Sequence, residues 1–186
     1  MNQITPLNKT IRFTDAEMRF LHYPSDGPDL VLLHATGFFS WLWHPIASRL
    51  SGSFNIIVPD FYGYRKSDPY KGGLGWDILA RDVSDLCGTL GMKNPLIAGH
   101  SMGGAVAVLC AALHGINVRR LLLIEPIFLP ETVYSAGITV QQHPLAAKAI
   151  RRKNSWTDMD DARSYIKSRS LFAAWDREMI ELYLTR

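Results

Sequence analysis

Cysteine is scarce in this chain. Cys87 and Cys110 are the two in 186 residues, too few for a disulfide framework, and neither lies in the paired Cys/His spacing that builds a zinc site. Both fall in apolar helical stretches and read as packed thiols. Long apolar runs are lacking too. None approaches the roughly 18 residues that cross a bilayer, and Met1-Asn2-Gln3-Ile4-Thr5-Pro6 has neither the charged start nor the apolar stretch of a secretory leader. A membrane span is therefore not expected, and the cytoplasm is the expected location. Neither sign of charge dominates, the formal net charge being +3. Basic residues are scattered except at Arg151-Arg152-Lys153, which reads as a solvated helix face, so no nucleic-acid partner is expected. Internal repeats, low-complexity tracts and the patterns of a metal or cofactor site are absent as well. What remains is 47% hydrophobic residues against 20% charged and a mean hydropathy near zero. That is the make-up of a soluble globular chain long enough to bury a core.

Apolar patterning changes style twice along the chain. Lys9–Phe13 and Glu17–Tyr23 alternate apolar and polar residues on either side of Thr14-Asp15-Ala16, which predicts an antiparallel hairpin. Continuous apolar runs follow at Leu30–Leu33, Asn55–Val58, Leu96–Ala98 and Leu121–Ile124, the pattern of parallel strands covered on both faces. Between them Trp43–Leu50, Trp76–Leu90 and Gly103–His114 are long enough for crossover helices. The fold class is thus α/β, a mostly parallel sheet with an N-terminal antiparallel hairpin. After Pro130 the spacing becomes helical over Pro144–Lys153, Asp158–Phe172 and Asp176–Thr185, with Thr157 or Asp158 and then Asp176 as caps. The expected division is a core over 1–130 and a helical cap over 131–186. The stripe Tyr165, Ile166, Leu171, Phe172, Met179, Ile180 and Tyr183 reads equally as packing against the sheet or as the lining of a substrate lid.

Chemistry enters at Gly99-His100-Ser101-Met102-Gly103. This G-x-S-x-G follows an apolar strand and opens the small-residue run Gly104–Leu109, so a serine sits where a buried strand turns into a helix, the context of a nucleophile elbow. Such a turn drives the serine toward positive φ and brings two chain segments together, which demands Gly99 and Gly103 on either side. The alternative is a Gly-rich turn with a serine helix cap; the flanking strand and helix favour the elbow, and Ser101 is the candidate nucleophile.

With these motifs in order the chain resembles the α/β-hydrolase fold family over nearly its whole length. His34-Ala35-Thr36-Gly37-Phe38, after the first long apolar strand, resembles the family's oxyanion loop, with Ala35 in the usual glycine place. Pro59–Asp68 resembles the loop after the next strand, with Arg65 replacing a common glycine; that loop is structural in the family, so Asp60 and Asp68 are not cast as catalytic. The resemblance implies a serine activated by a histidine that a carboxylate orients. It implies an oxyanion hole from the backbone N–H of Met102 and a second N–H from the loop, Phe38 first and Gly37 next. A serine nucleophile sets the chain apart from the haloalkane dehalogenases and epoxide hydrolases of this fold, which attack with aspartate.

A catalytic histidine is the remaining absence. The triad order in this fold is serine, acid, histidine, with the histidine late. Of the six histidines, only His143 follows His114, and beside Pro144 it reads as a loop or cap residue. His100 points away from its neighbour Ser101, His34 belongs to the structural loop position, and His22, His44 and His114 have no motif around them. Glu125, just after the fourth parallel strand, is either the acid or a polar residue closing the strand. The expectation is a fragment of a longer serine hydrolase of carboxylic esters or related acyl bonds, lacking two strands and the base and exposing an apolar edge at Leu121–Ile124. A non-catalytic protein of this fold that binds a small molecule or partner is the competing reading. Carbon–carbon bond hydrolysis or cofactor-free perhydrolysis is a third. The aromatics Phe38, Phe39, Trp41, Trp43 and Phe128 fit an apolar acyl or alcohol site and core packing equally.

Overall fold

A computed structural model describes residues 4–13, 17–61, 75–135, 153 and 155–186. Strands β1 (Leu7–Arg12) and β2 (Glu17–Tyr23) form the expected hairpin, antiparallel, with Arg12 opposite Glu17. The sheet continues through β3 (Asp29–Leu33), β4 (Asn55–Pro59), β5 (Leu96–His100) and β6 (Arg120–Ile124). Its six strands run in the order β1-β2-β4-β3-β5-β6. β2 pairs antiparallel with β4, whereas β4, β3, β5 and β6 pair parallel in turn. The four continuous apolar runs are those four parallel strands; β3, β4 and β5 are buried as that pattern requires, whereas β6 is largely exposed.

Helices α1 (His44–Leu50), α2 (Trp76–Thr89) and α3 (Met102–Leu113) make the crossovers. The first is shorter than its pattern predicts because a 3-10 turn, Ser40–Trp43, precedes it and Pro45 fixes its first turn. α2 turns Leu79, Val83, Leu86 and Cys87 inward, and α3 turns Met102, Val106, Ala107 and Cys110 inward, into one core with Val31, Leu33, Ile57 and Ile97. Each large aliphatic so buried contributes about 1.5–3 kcal/mol. The packed-thiol reading fits: both cysteines are buried, Cys110 Sγ donates to the Ala80 carbonyl at 3.3 Å, and burial pushes both thiols up to about 12.

Side-chain hydrogen bonds hold the strand register. Asn55 Nδ2 on β4 donates to Asp29 Oδ1 on β3 at 2.8 Å, and His22 Nε2 on β2 donates to Asn55 Oδ1 at 2.8 Å. A slip of β4 by one residue would turn Asn55 to the other face and break both bonds.

The two ends of the sheet differ. β1 presents Asn8, Lys9, Thr10 and Arg12 to solvent. β6 exposes Leu121 at 37%, Leu122 at 61% and Ile124 at 38%, and no strand pairs beyond it among the described residues.

The described residues fall into two compact units, Met1–Phe128 and Leu129–Arg186. The second holds α4 (Glu131–Ser135), α5 (Met159–Lys167) and α6 (Arg177–Thr185). Asp158, not Thr157, caps α5 by accepting from the Asp160 and Asp161 amides at 2.9 and 2.8 Å; Asp176 caps α6 through the Met179 amide at 2.8 Å. The predicted helix Asp158–Phe172 divides. Ser168 Oγ donates back to the Tyr165 carbonyl at 2.7 Å, competing with the helical ladder, and a 3-10 turn, Ser170–Phe172, follows. Arg163 grips Glu181 with two bonds of 2.7 and 3.0 Å, joining α5 to α6, and the rings of Phe172, Trp175 and Tyr183 meet at 4.9 to 5.8 Å. The short helix α4 has no counterpart in the sequence pattern. The expected helix Pro144–Lys153, except Lys153, lies outside the described residues, as do His143, Arg65 and Asp68.

Candidate active site

Ser101 joins β5 to α3 with φ 54° and ψ −115°. Apart from Glu125 (φ 43°), no other non-glycine among the described residues has positive φ. Holding such a backbone costs roughly 1–3 kcal/mol and persists only where surroundings enforce it. Here the surroundings are backbone. A Cβ on Gly99 would strike the Gly103 carbonyl, and a Cβ on Gly103 would strike the Leu33 carbonyl at the end of β3. Both glycines are therefore required by close approach, as the elbow pattern predicts. The Ser101 N–H donates to the Ile124 carbonyl at 2.9 Å, and its own carbonyl accepts from Gly104, Ala105 and Ile127 amides at 3.0 to 3.2 Å.

Met102 opens α3, where an N–H has no intrahelical acceptor and the helix dipole favours negative charge. The loop opposite is turned by Gly37 at φ 79°. The Phe38 amide, the donor preferred from the sequence, closes that turn onto the Ala35 carbonyl at 3.1 Å, so an anion would compete with this bond. Its ring stands 6.2 Å from that of His100. Thr36, which the sequence pattern does not mark, also reaches the elbow: its hydroxyl donates to Met102 Sδ at 3.4 Å.

His34 is fully buried. Its Nδ1–H donates to the Ala35 carbonyl at 2.9 Å, and Nε2 accepts from the Phe61 amide at 3.1 Å. Both bonds fit the neutral ring alone, and burial pulls its pKa down to about 4. Asp60, also buried, accepts from the Ser40 amide while its own amide bonds the Arg19 carbonyl at 2.8 Å. These two residues brace the loops around the elbow. His44 bonds Tyr23 Oη at 2.8 Å and Ser48 Oγ at 3.2 Å. No hydrogen bond joins a histidine to the Ser101 hydroxyl among the described residues.

Among the described residues no group of three or more His, Cys, Asp or Glu could hold a metal ion, and no helix is long and apolar enough to cross a membrane.

Residues 30–184 match the family model of the alpha/beta hydrolase family. The chain belongs to the α/β-hydrolase family. It is 28% identical over 165 residues to the AB hydrolase superfamily protein YfhM of Bacillus subtilis, spanning 81% of this chain and 58% of that one. It is 32% identical over 103 residues to the pimeloyl-[acyl-carrier protein] methyl ester esterase of Pseudoalteromonas atlantica, spanning 53% and 37%. Among solved structures, the thioesterase domain from the curacin biosynthetic pathway superposes with a TM-score of 0.76 at 16% identity, covering 97% of this chain and 67% of that chain. This chain therefore spans less than two thirds of the length of either of these curated relatives.

Proposed function

We propose that this chain carries the nucleophile and oxyanion portion of a serine hydrolase that cleaves a carboxylic ester or related acyl bond through an acyl-enzyme on Ser101. The observation that carries the reading is the strained Ser101 backbone at the β5–α3 junction, enforced by Gly99 and Gly103. Ser101 Oγ attacks the carbonyl carbon as its proton passes to a histidine base. The oxygen of the tetrahedral intermediate takes N–H bonds from Met102 and from the Ala35–Phe38 loop, a donor of this kind being worth about a hundredfold or more in rate. Collapse expels the alcohol or thiol with that proton, and water then releases the acid. Relatives named as a methyl ester esterase, a thioesterase domain and an N-acyl homoserine lactonase support acyl-bond chemistry.

The histidine and its carboxylate come, on this reading, from polypeptide that extends the sheet beyond β6. Two features support this: the apolar outer edge of β6, unpaired among the described residues, and relatives longer than this chain. A second reading, a binding protein of this fold without turnover, rests on the lack of a histidine at Ser101 among the described residues. A fluorophosphonate probe separates the two when applied to protein expressed from its full coding sequence. Labelling of Ser101, lost in Ser101→Ala, is the expected result. An unlabelled, folded protein that still binds an acyl ligand would establish the second reading.

A further inference from the structure

The two non-glycine residues with positive φ among the described residues, Ser101 and Glu125, stand at neighbouring strand ends and are hydrogen-bonded through each other's segments. The Ser101 amide donates to Ile124, the residue before Glu125, at 2.9 Å. The Ser101 carbonyl accepts from Ile127, two residues beyond Glu125, at 3.2 Å. Between these bonds the chain must leave the direction of β6 and return toward the elbow within three residues. Glu125, at φ 43°, makes that reversal. Pro126 follows it, and proline disfavours the right-handed helical region for the residue before it. The Pro126 side chain in turn lies against the first turn of α3, where a Cβ on Gly104 would come 2.8 Å from Pro126 Cβ. The segment Ile124–Ile127 is thus a bracket that holds residue 101 from the β6 side, as the Leu33 carbonyl limits the elbow from the β3 side.

We propose that Glu125 is a positioning residue acting through its backbone: its left-handed turn sets the Ile127 amide on the Ser101 carbonyl and fixes the angle at which the serine leaves the strand. Glutamate has no particular affinity for this conformation, unlike glycine or asparagine. The requirement is for the turn, and the carboxylate is dispensable. This inference rests on the reading of Ser101 as nucleophile, and it differs from the assignment of Glu125 as the triad acid in what each substitution does.

The test compares Glu125→Gly, Glu125→Gln, Glu125→Ala and Glu125→Val in protein expressed from its full coding sequence. Two readouts are taken: amide hydrogen exchange at Ile127, and the rate of Ser101 labelling by a fluorophosphonate, with kcat and KM on p-nitrophenyl acetate. Glu125→Gly and Glu125→Gln should keep Ile127 protected and labelling within about threefold, since both accept the turn without strain beyond that of the parent. Glu125→Val should expose the Ile127 amide and slow labelling about tenfold or more, through kcat with KM little changed, because a small misplacement of a reacting group is costly. Should Glu125→Val fail to fold, Glu125→Ala and Glu125→Gly carry the test: both lack the carboxylate and neither adds strain to the turn beyond the parent's, so both should keep Ile127 protected and labelling within about threefold. A hundredfold loss shared by Gln, Gly and Ala with Ile127 still protected would overturn the proposal in favour of the acid. So would protection at Ile127 that ignores the substitution. A parent that is never labelled, but whose Ile127 protection follows the turn, would sink the nucleophile reading and leave the bracket standing.

Discussion

The sheet has two edges built by opposite rules. β1 exposes one leucine, Leu7, at its start and otherwise ends the sheet with Asn8, Lys9, Thr10 and Arg12, polar and charged side chains that suit water and discourage pairing with another chain. β6 ends it with Leu121, Leu122, Leu123 and Ile124, a composition that parallel strands carry when both faces are covered. One edge carries the residues of a water-facing strand; the other carries the residues of a covered strand and, among the described residues, pairs on one side alone. The functional consequence follows from location, because Ser101 hangs from the β6 end of the sheet and its amide is bonded to Ile124. The polar edge is far from the chemistry in strand order, and the apolar edge is one strand from it.

The interior between the edges sets the scale against which either can be judged. Gly103→Ala drives a methyl into the Leu33 carbonyl and should cost about 4 kcal/mol or more, in the range reserved for core disruption. Urea unfolding would show this as a midpoint shift far larger than any edge substitution gives. Acid should come next. His34 is neutral in the fold with its pKa lowered from 6.5 to about 4, while the unfolded chain protonates it at its ordinary value. The unfolded state therefore binds more protons as pH falls from 6.5 toward 4, and roughly 3 kcal/mol is lost across that window. A His34→Gln variant whose pH–stability curve matched the parent's would show that another group governs the loss.

At the apolar edge, Leu122 is exposed in this structure; if further polypeptide covers β6, as proposed, Leu122→Asp in protein from the full coding sequence should cost about 2 kcal/mol or more, the value of one buried leucine. A neutral or stabilising result would mean that β6 meets water as β1 does, and the contrast between the edges would fail. The smallest effect belongs to Lys9→Glu on β1, expected within about 0.5 kcal/mol by the same unfolding curves, as for surface substitutions generally.

Much of this was legible in the residues because period and punctuation are strong signals in this chain. Continuous apolar runs marked β3 to β6, alternation marked the hairpin, and G-x-S-x-G marked the elbow with the glycines that steric contact requires. Asp158 and Asp176 were readable as caps because capping needs only a short acceptor side chain at one position. Other features depend on pairing in space and leave no local trace. Thr36 touches Met102 across 66 positions of sequence, the helix over 158–172 breaks on a serine back-bond, and α4 is too short for a period to appear. Glu125 had the look of a carboxylate for chemistry; its backbone angle became visible only in three dimensions.

The burial of Cys87 and Cys110 has a practical consequence. Both thiols lie in the α2–α3 layer that supports the elbow, and both are held un-ionised by burial, so an alkylating reagent, which needs thiolate and access, is excluded from the closed fold. Their modification then proceeds only through opening of that layer, and its rate under native conditions gauges how often the helix behind the serine lets go. The molecule thus carries two internal clocks for its own integrity, readable by mass without any engineered label.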